Sequence, residues 1–190
     1  MFNLIKRGAE AEIYETETTV IKRRVRKEYR IVEVDEAIRR NRTRKEAKMM
    51  EKMGELGIAV PRVVGRGDYE IEMEKIVGES VKEVMGEDGA ILREVGEVVY
   101  QLHESGVIHG DLTTMNFIVQ GETGRVYVID FGLGFYSNKN EDKAVDLYLL
   151  EKSLAQSNGR DVDCFYQGYF GGREDKELRR KLDEIRGRKR

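Results

Sequence analysis

His109-Gly110-Asp111-Leu112-Thr113-Thr114-Met115-Asn116, followed by Asp130-Phe131-Gly132, is the stretch on which the reading of this chain turns. An acid, an Asn five residues later and a second acid in an Asp-Phe-Gly turn form a phosphoryl-transfer constellation. Asp111 can accept a proton from, or orient, an attacking oxygen, while Asn116 and Asp130 can hold Mg²⁺ on ATP phosphates. Phe117-Ile118-Val119 and Val126-Tyr127-Val128-Ile129 read as short strands around the turn Gly121–Gly124, so Asn116 and Asp130 fall at the same end of a hairpin-like pair. Asp-Phe-Gly alone would be a common turn tripeptide; its spacing from Asp111 and Asn116 gives it meaning. His109 invites a reading as general base, but its place beside Asp111 fits a brace for the loop better, and His103 on the preceding helix reads as structural.

Outward from this motif, the chain has 190 residues, enough for one sizeable core or two small lobes. At 39% hydrophobic it is globular rather than disordered, and at 37% charged it is unusually polar. The formal net charge of −2 conceals segregation: residues 22–48 are strongly basic, Asp68 to Glu104 is acidic, and the chain ends Arg186-Gly187-Arg188-Lys189-Arg190. Phosphate-rich partners therefore fit despite the near-neutral total. A single cysteine, Cys164, forbids an intramolecular disulfide and agrees with a reducing, cytoplasmic setting. Met1-Phe2-Asn3-Leu4-Ile5 is too short for a secretory apolar region, and no run approaches a membrane span, so no membrane partner is expected.

The order of elements predicts an α+β fold of two lobes. Residues 1–30 read as strands, with Glu12–Glu17 and Thr19–Lys22 as a hairpin. Residues 36–56 read as a helix with an apolar stripe of Met49, Met53 and Leu56, restarted at a possible Thr43-x-x-Glu46 capping box and stopped by Gly57. Residues 60–64 and 70–74 read as strands, and 88–104 as an amphipathic helix ended by Gly106. Helices are expected over 142–155, 161–170 and 174–186. A hinge near 74–79 divides a strand-rich lobe, residues 1–76, from a helical lobe, residues 77–185, with a basic tail at 186–190.

Other candidate site residues lie along the first lobe. Gly8-Ala9-Glu10-Ala11, between the first two strands, either lets backbone amides approach a phosphate or is an ordinary hairpin turn. Lys22, after Val20-Ile21 on a strand, either reaches ATP phosphates or is a solvated member of the basic run, whereas Arg23 and Arg24 read as solvated or partner-facing. Glu46 either pairs with Lys22 or completes the Thr43 capping box. Met73, Glu74 and Ile76 end the strand before the hinge; they either offer backbone groups to adenine or form a plain sheet edge. Asp146, bordered by Ala144, Val145, Leu147, Leu149 and Leu150, either is buried and braces the His109 loop or faces solvent.

With these residues on the page, the chain resembles the small atypical protein kinases of the KEOPS complex, a tRNA-modification assembly. The resemblance rests on residues 109–116, on Arg-Thr-x-x-Glu-Ala (Arg42 to Ala47), on Gly-Ile-x-Val-Pro (Gly57 to Pro61) and on the basic end, and it spans essentially the whole chain. Met115 stands where Ser is commoner. The resemblance implies a minimal two-lobed protein-kinase-like fold with ATP and Mg²⁺, in which Lys22 and Glu46 position phosphates, Asp111 is catalytic, and Asn116 and Asp130 hold metal. It also implies an ATP-hydrolysing serine/threonine-type kinase, able to autophosphorylate, that supports threonylcarbamoyl transfer to the adenosine beside the anticodon of tRNAs reading codons that start with A. The implied partners are the threonylcarbamoyl-transferase subunit at the helical lobe, a small subunit at the strand lobe, and tRNA.

Only nine residues separate Gly132 from Asp142, and no Ala-Pro-Glu element follows, so the platform on which a conventional kinase docks a peptide is missing. This favours water, or a substrate presented by a partner, as acceptor. A free-standing serine/threonine kinase and a nucleotide-stabilised scaffold are the competing readings. Direct tRNA binding as the main role, through the basic helix and the tail, is weakened by the net charge of −2. Arg186, Arg188, Lys189 and Arg190 are candidates for tRNA phosphate, against the alternative of a solvated terminus.

Overall fold

The computed structural model describes residues 2–85, 89–155 and 159–188. Two compact units emerge, Met1–Ile76 and Val77–Arg190. The first holds strands β1 (Asn3–Arg7), β2 (Ala11–Glu15), β3 (Thr19–Arg24), β4 (Val63–Arg66) and β5 (Glu70–Glu74), with helix α1 (Val32–Glu55) between β3 and β4. The strands form one antiparallel sheet in the order β1-β2-β3-β5-β4. Thr16 closes the β2–β3 hairpin: its N–H donates to the Thr19 carbonyl at 2.8 Å and its Oγ1 accepts the Thr19 N–H at 2.9 Å.

Residues 25–31 form turns rather than strand, because the chain must leave β3 and enter α1 there. Buried Asp35 gathers that crossing, accepting the Lys27 N–H at 3.2 Å and pairing with Arg39 at 2.6 Å. Helix α1 runs unbroken from Val32, with no restart at Thr43. Thr43 lies on the buried face with Met49, Met50 and Met53, so it cannot serve as an N-cap. Leu56, expected in the apolar stripe, is instead the exposed C-cap. Gly57, at φ 78°, ends the helix: its N–H reaches the Gly54 carbonyl at 3.0 Å and the Ile58 N–H reaches Met53 at 3.0 Å. The next strand starts at Val63 rather than residue 60; Pro61 has no N–H to give a ladder, and Ile58, Ala59 and Val60 are buried as a packed loop.

The second unit holds β6 (Gly78–Ser80), α2 (Val81–Val84), α3 (Gly89–Glu104), β7 (Val107–Ile108), a 3₁₀ turn (Thr114–Asn116), β8 (Phe117–Gln120), β9 (Val126–Val128), β10 (Phe135–Tyr136), α4 (Asn140–Leu154), α5 (Gly159–Phe170) and α6 (Lys176–Arg188). Strands β6, β8 and β9 make one small sheet and β10 pairs antiparallel with β7. The helices pack on a core of Leu92, Val95, Leu102, Leu147, Leu150, Phe165 and Leu182. Asp175 sets the start of α6 by accepting the Leu178 N–H at 2.8 Å. That helix continues through Arg188, so Arg186 and Arg188 belong to it rather than to a separate tail, while Lys189 and Arg190 lie outside the described residues. A sheet with one main helix, followed by a mostly helical unit, is the expected α+β architecture.

Candidate functional site

In the first unit the alternation of β3 turns Lys22 and Arg24 to one face and Arg23 to the other. Arg23 is half-exposed and pairs with Glu70 at 2.8 Å. Lys22 and Arg24 are both buried and converge on Glu46 of α1: Lys22 Nζ is 2.7 Å from Oε1 and Arg24 Nη2 is 2.6 Å from Oε2. Glu46 therefore pairs with Lys22 and is not part of a capping box; Thr43 Oγ1, one turn earlier, is buried without a hydrogen-bond partner. The solvated role expected for Arg24 is wrong. The rule of strand alternation could have found it, since a strand that buries Lys22 also buries the residue two places on.

Elsewhere in this unit, Gly8 donates its N–H to the Ala11 carbonyl at 2.9 Å, closing the β1–β2 turn. The Ala9 carbonyl accepts from Lys27 Nζ, and Glu10 pairs with Arg42 at 2.9 Å. Met73 and Ile76 are buried at the end of β5 and beyond it. The Glu74 N–H is committed to the Arg62 carbonyl at 2.9 Å and that of Lys75 to Thr18 at 3.0 Å.

In the second unit, β7 delivers the chain to His109, and β8 and β9 bring Asn116 beside the approach to Asp130. Phe117 pairs with Val128, and the Ile129 N–H donates to the Asn116 carbonyl at 2.9 Å. Asn116 Nδ2 donates to the Asp111 carbonyl at 2.8 Å and lies 3.4 Å from Asp111 Oδ2, which locks the two side chains to one frame. Asp111 and Asp130 are both exposed. Asp130 is the one described non-glycine residue with positive φ, 64°; such left-handed backbone costs energy and recurs at functional sites. Its Oδ1 accepts the Gly132 N–H at 3.2 Å.

The loop is braced from beneath. Asp146 of α4 is buried and accepts the N–H groups of His109 at 2.6 Å and Gly110 at 2.9 Å. His109 is buried too; its Nε2 lies 3.0 Å from the Ile129 carbonyl, and its Nδ1 accepts the Asp111 N–H at 3.3 Å. Those partners fix the tautomer with the proton on Nε2, which leaves the ring no free nitrogen with which to act as a base. Its ring packs on Phe131 at 5.1 Å. Gly110, at φ 80°, is required: a Cβ there would stand 2.6 Å from the Leu133 carbonyl. Buried His103 touches Tyr169 OH through Nδ1 at 2.8 Å and has Nε2 3.5 Å from Asp146, too poorly aligned for a hydrogen bond. Burial holds its pKa below the ordinary histidine value, with Asp146 opposing. Ser153, which nothing in the sequence singled out, pins the 3₁₀ turn by accepting the Thr114 N–H at 3.0 Å.

The donor set suits Mg²⁺. Asn116 spends its NH₂ on Asp111 and so offers Oδ1, and Asp130 offers a carboxylate; hard oxygen ligands of this kind, few in number and completed by phosphates and water, are what Mg²⁺ takes. No group of three or more His, Cys, Asp or Glu among the described residues could form an all-protein metal cage. Of the basic end, Arg186 is bound into the fold by Glu151 at 2.5 Å, and Arg188 lies 3.3 Å from Glu141. No helix among the described residues is long and apolar enough to cross a membrane.

Residues 9–147 match the RIO domain. The chain is 45% identical to the EKC/KEOPS complex subunit BUD32 of Enterocytozoon bieneusi, over 98% of both chains. It is 42% identical to a probable serine/threonine-protein kinase BUD32 homolog of Archaeoglobus fulgidus, over 95% of this chain and 93% of that one. A probable bifunctional tRNA threonylcarbamoyladenosine biosynthesis protein of Methanosphaera stadtmanae is 34% identical across 98% of this chain but only 36% of its own length. Among solved structures, the Rio2 kinase–ADP/Mg²⁺–phosphoaspartate complex from Chaetomium thermophilum superposes with a TM-score of 0.66 at 16% identity, over 97% of this chain and 70% of that one, a likeness of fold. The chain belongs to the RIO-domain family and, within it, to the BUD32 group of KEOPS complex subunits.

Proposed function

We propose that this chain is the ATP-hydrolysing, atypical serine/threonine kinase subunit of a KEOPS assembly, supporting threonylcarbamoyladenosine formation beside the anticodon of tRNA. The observation that carries the reading is the frame of Asp111, Asn116 and Asp130, held by the Asn116–Asp111 bonds and by the Ile129–Asn116 bond. In this reading Lys22, held by Glu46, takes the ATP phosphates. Met73, Glu74 and Ile76 would offer the adenine contacts and the Gly8–Ala11 turn a phosphate contact, although the Gly8 and Glu74 N–H groups are already bonded to Ala11 and Arg62. Asn116 Oδ1 and Asp130 would hold Mg²⁺, which would supply neutralisation of phosphate charge. Asp111 orients the attacking oxygen and accepts its proton. His109 and Asp146 keep Asp111 in place.

The relatives' names support membership of a KEOPS assembly, and the partner positions are our own proposal. The bifunctional protein carries this unit in about a third of its length, which supports a second enzyme as the working partner. We place the threonylcarbamoyl-transferase subunit on the helical unit, the small subunit on the strand unit, and tRNA within the complex, in the cytoplasm. Arg44, Lys45 and Lys48 on α1 are exposed and make no ion pair among the described residues, which suits a phosphate-rich partner. Arg186 and Arg188 would have to exchange their carboxylate partners to touch RNA; Lys189 and Arg190 complete the candidate set.

The test is ATP turnover by the purified chain, with and without the transferase subunit and tRNA. The expected outcome is slow phosphate release that rises at least several-fold with both partners and falls at least a hundredfold in Asp111→Ala. If Asp111→Ala keeps full turnover and full tRNA modification, the assignment fails.

A further inference from the structure

Arg24 is used by nothing in the site as described so far, yet it is as deeply placed as Lys22. Its side chain is 5% exposed, that of Lys22 is 9% and that of Glu46 is 1%. Both oxygens of Glu46 are taken, one by each cation. The Arg24 backbone is fixed as well: its N–H donates to the Tyr69 carbonyl at 2.8 Å, and its register partner on β2 is buried Ala11. Burying two cations against one carboxylate is costly, and a cation held solely for stability would be better replaced by an apolar side chain of the same volume. The geometry suggests a different use.

We propose that Arg24 is a positioning residue that anchors Glu46, and with it the placement of α1 on the sheet, so that Glu46 keeps its orientation when Lys22 turns toward a phosphate. The two cations differ in kind. A guanidinium is planar, and its donors hold a carboxylate in a fixed orientation; an ammonium is a compact point charge on a flexible stem that can turn between acceptors. With both present, Lys22 can shift from Glu46 Oε1 toward a phosphate oxygen without releasing the carboxylate, because Oε2 stays on Arg24. With Arg24 removed, every such shift leaves a buried carboxylate without its anchor, and Glu46 and Lys22 lose their alignment at the moment of phosphoryl transfer.

The inference rests on the ATP-using reading, and its test separates the two. Wild type, Arg24→Met, Glu46→Gln and the double variant are compared for kcat and KM for ATP, with Tm recorded for each. Arg24→Met is expected to lower kcat at least tenfold per folded molecule while KM for ATP changes less than threefold. Adding it to Glu46→Gln is expected to cost less than a further twofold, because its effect passes through Glu46. Unchanged kcat in Arg24→Met, or independent losses that multiply in the double variant, overturns the inference. A wild-type chain that binds and turns over no ATP, alone or with its partners, overturns the parent reading instead. Should Arg24→Met not fold, Arg24→Lys takes its place in the cycle; it swaps the planar anchor for a mobile charge, so kcat should fall, and an unaltered kcat overturns the inference.

Discussion

His103 shows how a single buried side chain ties stability to pH in this protein. Burial lowers its pKa below that of an exposed histidine, and the nearby Asp146 carboxylate only partly opposes this. The Tyr169 hydroxyl at Nδ1 fits the neutral ring as a donor, which turns the Nε2 proton toward Asp146. The sign follows from linkage. Above the unfolded value of about 6.5 the ring is neutral in both states and its contribution is fully present; as pH falls below that, the unfolded chain takes up a proton that the folded chain refuses, and stability is lost until the lower folded pKa is reached. The Tm of the wild type should therefore drop more steeply between pH 7.5 and 5.5 than that of His103→Gln. Parallel slopes would show that His103 does not titrate differently on folding. The Lys22–Glu46 pair and the neighbourhood of Asp111 and Asn116 were legible in the sequence, because a lysine after two apolar strand residues and an acid five residues before an asparagine are patterns that carry chemistry. Arg24 was misread because the basic run outweighed the strand alternation that turns it inward with Lys22, and Ser153 was not legible, because a helix-borne serine carries no local mark of the backbone it will meet.

At the scale of elements, the glycines divide into those that turn the chain and those that let helices touch. Gly57, Gly106 and Gly110 have positive φ and turn the chain. Gly96 and Gly168 instead lie inside α3 and α5, where glycine is unfavourable by about 1 kcal/mol relative to alanine. Their reason is the crossing of the two helices: a Cβ on Gly96 would stand 2.2 Å from the Phe165 carbonyl, and one on Gly168 would stand 1.9 Å from that of Arg93. Hydrophobic periodicity revealed both helices but could not reveal this, since close approach is a property of the pair. The crossing also sets His103, at the end of α3, against Tyr169 of α5. Gly168→Ala should thus destabilise the protein by about 2–3 kcal/mol in urea titrations despite its better helix propensity, through overpacking against backbone that cannot yield. A stabilising or neutral outcome would mean that the helices part freely.

For the molecule as a whole, the decisive economy is the segment after Asp-Phe-Gly. Helix α4 begins at Asn140, two residues earlier than the sequence suggested, so only residues 133–139 lie between. Almost all of that short stretch is spoken for. The Gly134 N–H donates to Phe131, β10 pairs with β7, the Ser137 N–H donates to Gly106, and Ser137 Oγ donates to Asp142 at 2.6 Å. The Leu133 carbonyl rests against Gly110. A peptide substrate needs an extended segment able to lie beside it and hold it in register, and here that backbone is bonded to Phe131, Gly106 and β7. Asp111, by contrast, is exposed, so small acceptors and groups carried in by a partner can reach it. The expected consequence is a partition rather than a rate. With γ-labelled ATP and an excess of a generic unfolded protein substrate, most label should leave as inorganic phosphate and less than a tenth should be found on the added protein. Transfer to the added protein that rivals phosphate release would show that peptide recognition survives without the usual platform, and the free-standing kinase would become the better description.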